Sequence, residues 1–252
     1  MTTTVVSGET FTSYYVKLQN DLVYLKRHHN WKNTSVQTDI SGKQWWLFFG
    51  CFKNDEVKVY SNKEWLGSHE NCAILLPPFS QIRWLLQPSI IEWEAYISSS
   101  DLPPELCDGP YILPWNEPQR IHSSSELIQK IKSQSLNSIK YNISPSAVSE
   151  KTKKFIDLYF QEDIPIHEIA SRLKLNHRVM SRYFKNDFGL TPSSYRNKLR
   201  VMNSKCRMLF KNTSVIDEAI SSGFSSPGGF NKAFRKEFAL APSFFNKLPF
   251  DN

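Results

Sequence analysis

The rhythm of apolar and polar positions changes near residue 123. Upstream, apolar residues come in short bursts. QWWLFFGCF from Gln44 and NCAILLPPF from Asn71 are bounded by turn signals, and Val57, Val59 and Tyr60 sit in a mostly alternating run. Pro77-Pro78, Pro88, Pro103-Pro104 and Pro110 forbid long helices there. Many short strands with proline-rich turns predict a small β-barrel or sandwich over residues 1–122. From Ser123 the spacing turns helical: a serine N-cap precedes Leu127, Ile128 and Ile131. These three apolar residues would either pack on the barrel or form a dimer seam. The polar stretch 133–144 reads as a linker, so that 123–144 is a helix and linker. Ser144 and Pro145 then offer an N-cap and first-turn proline for a helix through KKFIDLYFQ, opening an all-helical region over 145–252.

Within that helical region a single pattern is written twice. MSRYFKNDFGLTPSSY from Met180 and FNKAFRKEFALAPSFF from Phe230 agree at a constant offset: Met180, Phe184, Phe188, Leu190, Pro192 and Tyr195 answer to Phe230, Phe234, Phe238, Leu240, Pro242 and Phe245. Upstream, Ile166, Ala170 and Leu175 answer to Val215, Ala219 and Phe224 with one residue of slippage. A small helical unit used twice explains this. Each copy predicts a short helix, a tight turn and a second helix, the helix-turn-helix plan that sets a helix in the DNA major groove.

On the second helix of the first copy, capped by Asn176, the apolar stripe leaves Arg178, Ser181, Arg182 and Lys185 on the opposite face. Arginines one turn apart suit guanine edges, and Lys185, further along, suits phosphate. In the second copy Ser226 and Pro227 mark the helix start, and the outward positions hold Gly228, Gly229, Asn231, Lys232 and Arg235. Glycines at the tip offer no side chain to a base but allow close backbone approach to phosphate. The first unit is therefore expected to discriminate sequence and the second mainly to add affinity. Between the copies, Ser193 to Phe210 predicts a rigid linker helix that would set the reading helices into successive grooves, roughly 34 Å apart. Its Arg196, Lys198, Arg200 and Arg207 are candidates for phosphate contacts or for plain solvation.

Charge sharpens this division. Residues 1–143 carry 13 Lys/Arg against 14 Asp/Glu, a net −1, whereas 144–252 carry 18 against 10, a net +8, giving the total of +7. A neutral module joined to a basic one fits sensing plus DNA binding. Cys51, Cys72, Cys107 and Cys206 form no C-x-x-C pair, the first residues show no basic-then-apolar leader, and no apolar run approaches ~20 residues. A reduced, cytoplasmic chain with no membrane span is the expectation.

The stretch from about Lys153 to Asn246 resembles the AraC/XylS-type DNA-binding domain of bacterial transcription regulators. The resemblance rests on EIASRL from Glu168, SRYFKNDFGLTPSSY from Ser181, EAISSGF from Glu218 and FNKAFRKEFALAPSFF from Phe230. It implies a seven-helix domain that reads promoter DNA, with base-contacting positions at Arg178, Ser181, Arg182, Gly228 and Lys232, and phosphate positions among Lys185, Arg196, Arg200 and Arg235. Lys174 departs from the glycine usual in the first turn. Glu218 and Ser222 replace apolar residues, either weakening the second unit's core or facing a partner such as RNA polymerase. The strand ending AILLPPFSQIRW from Ala73 is similar to a cupin-type sensor. His28-His29 adjacent and His69 alone do not make the cupin metal set, so neither metal nor cofactor is expected. Trp31, Trp46, Trp65 and Trp84 are candidate walls of an effector pocket, with ordinary core as the alternative role. The reading is a promoter-binding regulator, with a small effector or homodimerisation as its modulators. A cupin-like enzyme with an accessory DNA-binding domain and a weakly specific nucleoid-type binder are the competing classes.

Overall fold

The computed structural model describes residues 3–50, 56–61, 64–67, 71–116, 121–139, 145–211 and 213–245. The chain divides into two compact units whose bulk is Met1–Asn142 and Ile143–Met208 with Thr213–Asn246. Cys51, His69 and Ser144 lie outside the described residues. No helix among the described residues is long and apolar enough to cross a membrane.

The first unit is built from β1 (Thr3–Ser7), β2 (Phe11–Gln19), β3 (Leu22–Trp31), β4 (Ser35–Ile40), β5 (Trp45–Phe49), β6 (Val57–Ser61), β7 (Glu64–Leu66), β8 (Cys72–Leu76), β9 (Gln81–Leu86), β10 (Ser89–Ser98), β11 (Tyr111–Pro114) and β12 (Asn137–Ser138). Eight strands form one antiparallel sheet in the order β1-β2-β3-β10-β5-β8-β11-β12, and β4-β9-β6-β7 form another. The apolar run WWLFF becomes the central strand β5 because both its faces are covered, whereas β9 alternates buried and partly exposed positions. Among the described residues no ladder closes either sheet, so of the barrel or sandwich expected the closed barrel is not formed. Its strands are partitioned: β4 pairs with β9, while β5 pairs with β10 and β8.

On one face of the larger sheet a core gathers Leu22, Trp45, Leu47, Phe49, Leu75 and Trp115. The helix α1 (Ser124–Lys132) closes it: the Ser123 side chain accepts from the Glu126 amide, and Leu127 and Ile131 are fully buried in that core. These two side chains are thus unavailable as a dimer seam. Within the stretch read as a linker, Asn137–Ser138 pair with β11 and Ile139 is buried.

The second unit contains α2 (Ala147–Tyr159), α3 (Ile166–Arg172), α4 (His177–Phe188), α5 (Pro192–Phe210), α6 (Val215–Ser221) and α7 (Pro227–Phe238). The α2 N-cap is Ser146, whose side chain accepts from the Ser149 amide. The repeated aromatics pack as the spacing requires. Phe184 meets Phe188 and Tyr195 in the first copy, and Phe234 meets Phe230, Phe238 and Phe245 in the second.

Candidate nucleic-acid interface

Each copy is a pair of helices joined by a tight turn: α3 to α4, and α6 to α7. Asn176 Oδ1 accepts from the amides of Arg178 (3.0 Å) and Val179 (3.2 Å), and Ser226 Oγ accepts from the Gly229 amide (3.2 Å). These caps satisfy donors that would otherwise be orphaned at the helix tips. Met180 and Phe184 anchor α4 in its core, as Phe230 and Phe234 anchor α7. The opposite faces are exposed as the spacing requires. On α4 Arg178, Arg182 and Lys185 are exposed and Ser181 is half-buried; on α7 Gly228, Lys232 and Arg235 are exposed. None of these five cations forms an ion pair among the described residues. Both faces therefore present uncompensated positive charge; on α4 it includes Arg178 in the first turn, where the helix dipole is also positive, whereas Lys185 and Arg235 stand in the last turns of their helices.

Two residues join the face that spacing alone did not select. Tyr183 is 39% exposed, with the Arg182 guanidinium 5.5 Å from its ring. Lys236, next to Arg235, is exposed in the last turn of α7. The signal for both was adjacency to a chosen residue.

The cations of α5 are a different matter. Arg196 and Arg200, expected at phosphates, are buried. Arg200 donates through Nε to the Phe160 carbonyl (2.5 Å) and through Nη2 to that of Glu162 (2.7 Å), while Arg196 Nη1 donates to the Ile164 carbonyl. They occupy the carbonyl-rich C-terminal end of α2, where a cation is favoured by the dipole and by unfilled acceptors. Burial lowers the Arg200 pKa to about 10, helped by the nearby Arg196 charge, and the group stays protonated at neutral pH. Lys198 pairs with Glu237 of α7, and Arg207 with Glu218 of α6 at 3.3 Å. Glu218 and Ser222 are fully buried, Glu218 also accepting from Thr213 Oγ1 (2.9 Å) and Ser222 bonding Ser204. They belong to the core of the second copy, not to a partner-facing surface. Tyr195 donates to Asp157 (2.6 Å), which also pairs with Lys153, and Asp187 accepts from the amide and hydroxyl of Ser146. The linker helix is thus fastened to α2, α6 and α7 by its own polar residues.

The four candidate tryptophans do not share one site. Trp46 and Trp84 both reach the Phe48 ring, at 5.4 and 5.8 Å. Trp31 stacks on His29 at 4.1 Å. Trp65 packs on Tyr60 and, with it, lies near Arg83; since Arg83 and Trp84 are successive strand residues, Trp65 sits on the other face of that sheet from Trp84.

A helix-turn-helix domain family model matches residues 169–247. The stretch it covers holds both copies and both cation-bearing faces. The chain carries an AraC/XylS-type double helix-turn-helix domain. Relatives of this AraC-type domain include the HTH-type transcriptional activator RhaS of Klebsiella pneumoniae (strain 342), 32% identical over 88 residues. RhaS of Escherichia coli (strain K12 / DH10B) is equally similar, and each match covers 35% of this chain and 32% of the relative. The chain thus aligns with about a third of the length of the curated relatives it matches. Among solved structures, an apo variant of ToxT from Vibrio cholerae strain SCE256 aligns over 88% of this chain and 96% of its own, with 15% identity and a TM-score of 0.50. That likeness extends beyond the AraC-type domain to the two-domain fold, a sheet domain followed by a helical one.

Proposed function

We propose that this chain is a sequence-specific, DNA-binding transcription regulator of the AraC type. The observation that carries the reading is the contrast between cations. Those on α4 and α7 are exposed and unpaired, whereas those on α5 are spent on carbonyls and carboxylates within the fold. Arg178, Ser181 and Arg182 read base edges in one groove, and Lys185 binds phosphate. Lys232 and Gly228 lie at bases in the next groove, with Arg235 on phosphate. Gly228 has no atom within 4 Å of where a Cβ would stand, so DNA backbone can come close there.

The first unit, residues 1–122 with the helix and linker 123–144, serves as a cupin-like sensor or dimerisation module for the DNA-binding domain, 145–252. Activation is the sign of regulation we adopt, following the activators to which the domain is similar. Promoter DNA in the cytoplasm is the principal partner. A small effector, a second copy of the chain and RNA polymerase are the further partners such a role uses.

Selection of bound fragments from a genomic DNA pool at near-physiological salt tests this. The expected result is a motif of two short blocks about 10 base pairs apart. Arg182→Ala should relax preference at one base of one block at a cost of about 1–3 kcal/mol. Lys232→Ala should weaken binding with less loss of discrimination. Binding without enrichment, steeply dependent on salt, would overturn the regulator reading in favour of a non-specific phosphate binder.

A further inference from the structure

The outer strand of a sheet leaves a row of backbone N–H and C=O groups without a ladder partner, and such edges are normally guarded by short length, charge or proline. Four strands stand at sheet edges among the described residues: β1, β12, β4 and β7. Three of them are guarded. β12 spans two residues, and β7 spans three with the exposed Glu64 at its start. β4 carries Asp39, whose carboxylate accepts from Trp84 Nε1 at 3.0 Å. β1 has no such guard. Its five residues, TTVVS, include no charge, proline or glycine, and the two threonines and two valines are β-branched.

The ladder with β2 fixes which groups of β1 face outward. Just beyond the strand the Gly8 amide donates to the Phe11 carbonyl at 2.9 Å, so Gly8 and Phe11 are a hydrogen-bonded pair. Such pairs alternate along an antiparallel ladder, and the β1–β2 register runs without a shift. Val6 and Thr4 therefore direct their backbone groups to Ser13 and Tyr15, while Thr3, Val5 and Ser7 direct theirs away from β2. These same three residues are exposed, Val5 at 54%, on the sheet face that Val5 shares with Tyr14.

We propose that β1 pairs antiparallel with β1 of a second copy of this chain, about a two-fold axis through Val5. In that register Val5 faces Val5 of the partner subunit, and Thr3 and Ser7 face each other at both ends. Every outward residue then enters a hydrogen-bonded pair, with two N–H···O bonds in each of the three pairs. Opposed side chains are two valines or a threonine and a serine, so no like charges meet. Pairing consumes both β1 edges, and the assembly closes at two copies. Strands of five residues bury less than the ~1,200 Å² of a standard interface, so the dimer is weak, with a Kd of about 10–300 µM. Two copies on neighbouring DNA sites meet at a raised effective concentration, where weak pairing suffices. That consequence rests on the regulator reading; the edge pairing gives a surface to the dimerisation role proposed for the first unit.

The test is sedimentation equilibrium of the full chain over a range of concentrations, with amide hydrogen exchange at the two ends of that range. A monomer–dimer equilibrium is expected. Exchange at Thr3, Val5 and Ser7 should slow as the dimer fills, while Thr4 and Val6, already bonded to β2, should be protected throughout. Val5→Lys, which sets two like charges face to face on the two-fold axis, should weaken the dimer about tenfold or more. Val5→Pro removes an outward N–H that β2 does not use, so it should abolish the dimer and leave Thr4 and Val6 protected. Val5→Thr, still β-branched and neutral, should keep the Kd within about threefold. A chain that stays monomeric up to about 0.5 mM overturns the proposal. So does a dimer untouched by both Val5→Lys and Val5→Pro, or one that leaves exchange at Thr3, Val5 and Ser7 unchanged. Fragment selection on the same preparation keeps the readings apart: loss of DNA enrichment with the dimer intact sinks only the regulator, and DNA enrichment by a chain that is always monomeric sinks only the edge pairing.

Discussion

Four left-handed backbone positions in the second unit show how single residues were traded between the two copies. Lys174 (φ 56°) and Gly189 (φ 73°) take that conformation in the first copy, and Gly223 (φ 79°) and Ala239 (φ 56°) in the second. Each copy thus keeps glycine at one of its two sites and bears the strain of a side chain at the other. At Gly223 there is no choice, because a Cβ would stand 2.0 Å from the Gln161 carbonyl oxygen. Gly223→Ala should therefore destabilise the unit by several kcal/mol, read as a fall in urea midpoint. Ala239→Gly should have the opposite effect: it relieves left-handed strain at the end of α7 and should raise stability by about 1 kcal/mol. A neutral or destabilising result would show that the Ala239 methyl contributes packing. Much of this was legible in the sequence, since the copies align and Lys174 visibly replaces a glycine. The fate of Glu218 was not, because a carboxylate in an apolar stripe reads the same whether it faces a partner or, as here, Arg207 and Thr213 in the core.

At the scale of elements, α4 and α5 carry similar densities of Arg and Lys and use them in opposite ways. Sequence spacing gives α4 correctly because its capped start, apolar stripe and polar face repeat in α7. It fails on α5, because the two arginines that fill the carbonyls of residues 160, 162 and 164 have the spacing of arginines in solvent. Only the tertiary position of the α2 C-terminus distinguishes them. Two substitutions separate the roles. Lys185→Ala should leave stability within about 0.5 kcal/mol and lower the salt slope of DNA binding by about 1. Arg200→Met should instead leave the salt slope in place and destabilise by about 2–4 kcal/mol, since two buried carbonyls lose their donors. A salt slope lowered by Arg200→Met in protein that remains folded would return Arg200 to the phosphate contacts. The sheets show the same limit. Bounded apolar runs located β5 and β8 and alternation located β6, but neither showed the partition into two sheets, which depends on which edges pair.

Across the whole molecule each compact unit holds a group whose response to acid opposes that of the other, His29 in the first and Asp157 in the second. His29, hydrogen-bonded to Thr10 and stacked on Trp31, has its pKa lowered to about 4 by burial and by the charge of Arg27. Folding of the first unit thus favours neutral His29, while the unfolded chain takes up the proton near pH 6.5. The His29 contribution is complete above about pH 6.5 and lost as pH falls toward 4. Discounted for partial exposure, that loss is about 1–2 kcal/mol. In the second unit Asp157 runs the other way. Desolvation raises its pKa despite Lys153 and Tyr195, so the cost of holding it ionised is present at neutral pH and relieved as pH falls through its folded value. Two units with their own cores should melt in separable steps. Calorimetry between pH 7 and 4.5 should then show the step of the first unit moving down more steeply than that of the second. His29→Gln, which keeps a partner for Thr10 but does not titrate, should flatten the first step alone. If the steps stay parallel in the wild-type chain, or if His29→Gln changes neither slope, the acid response belongs to the carboxylates common to both units rather than to this histidine.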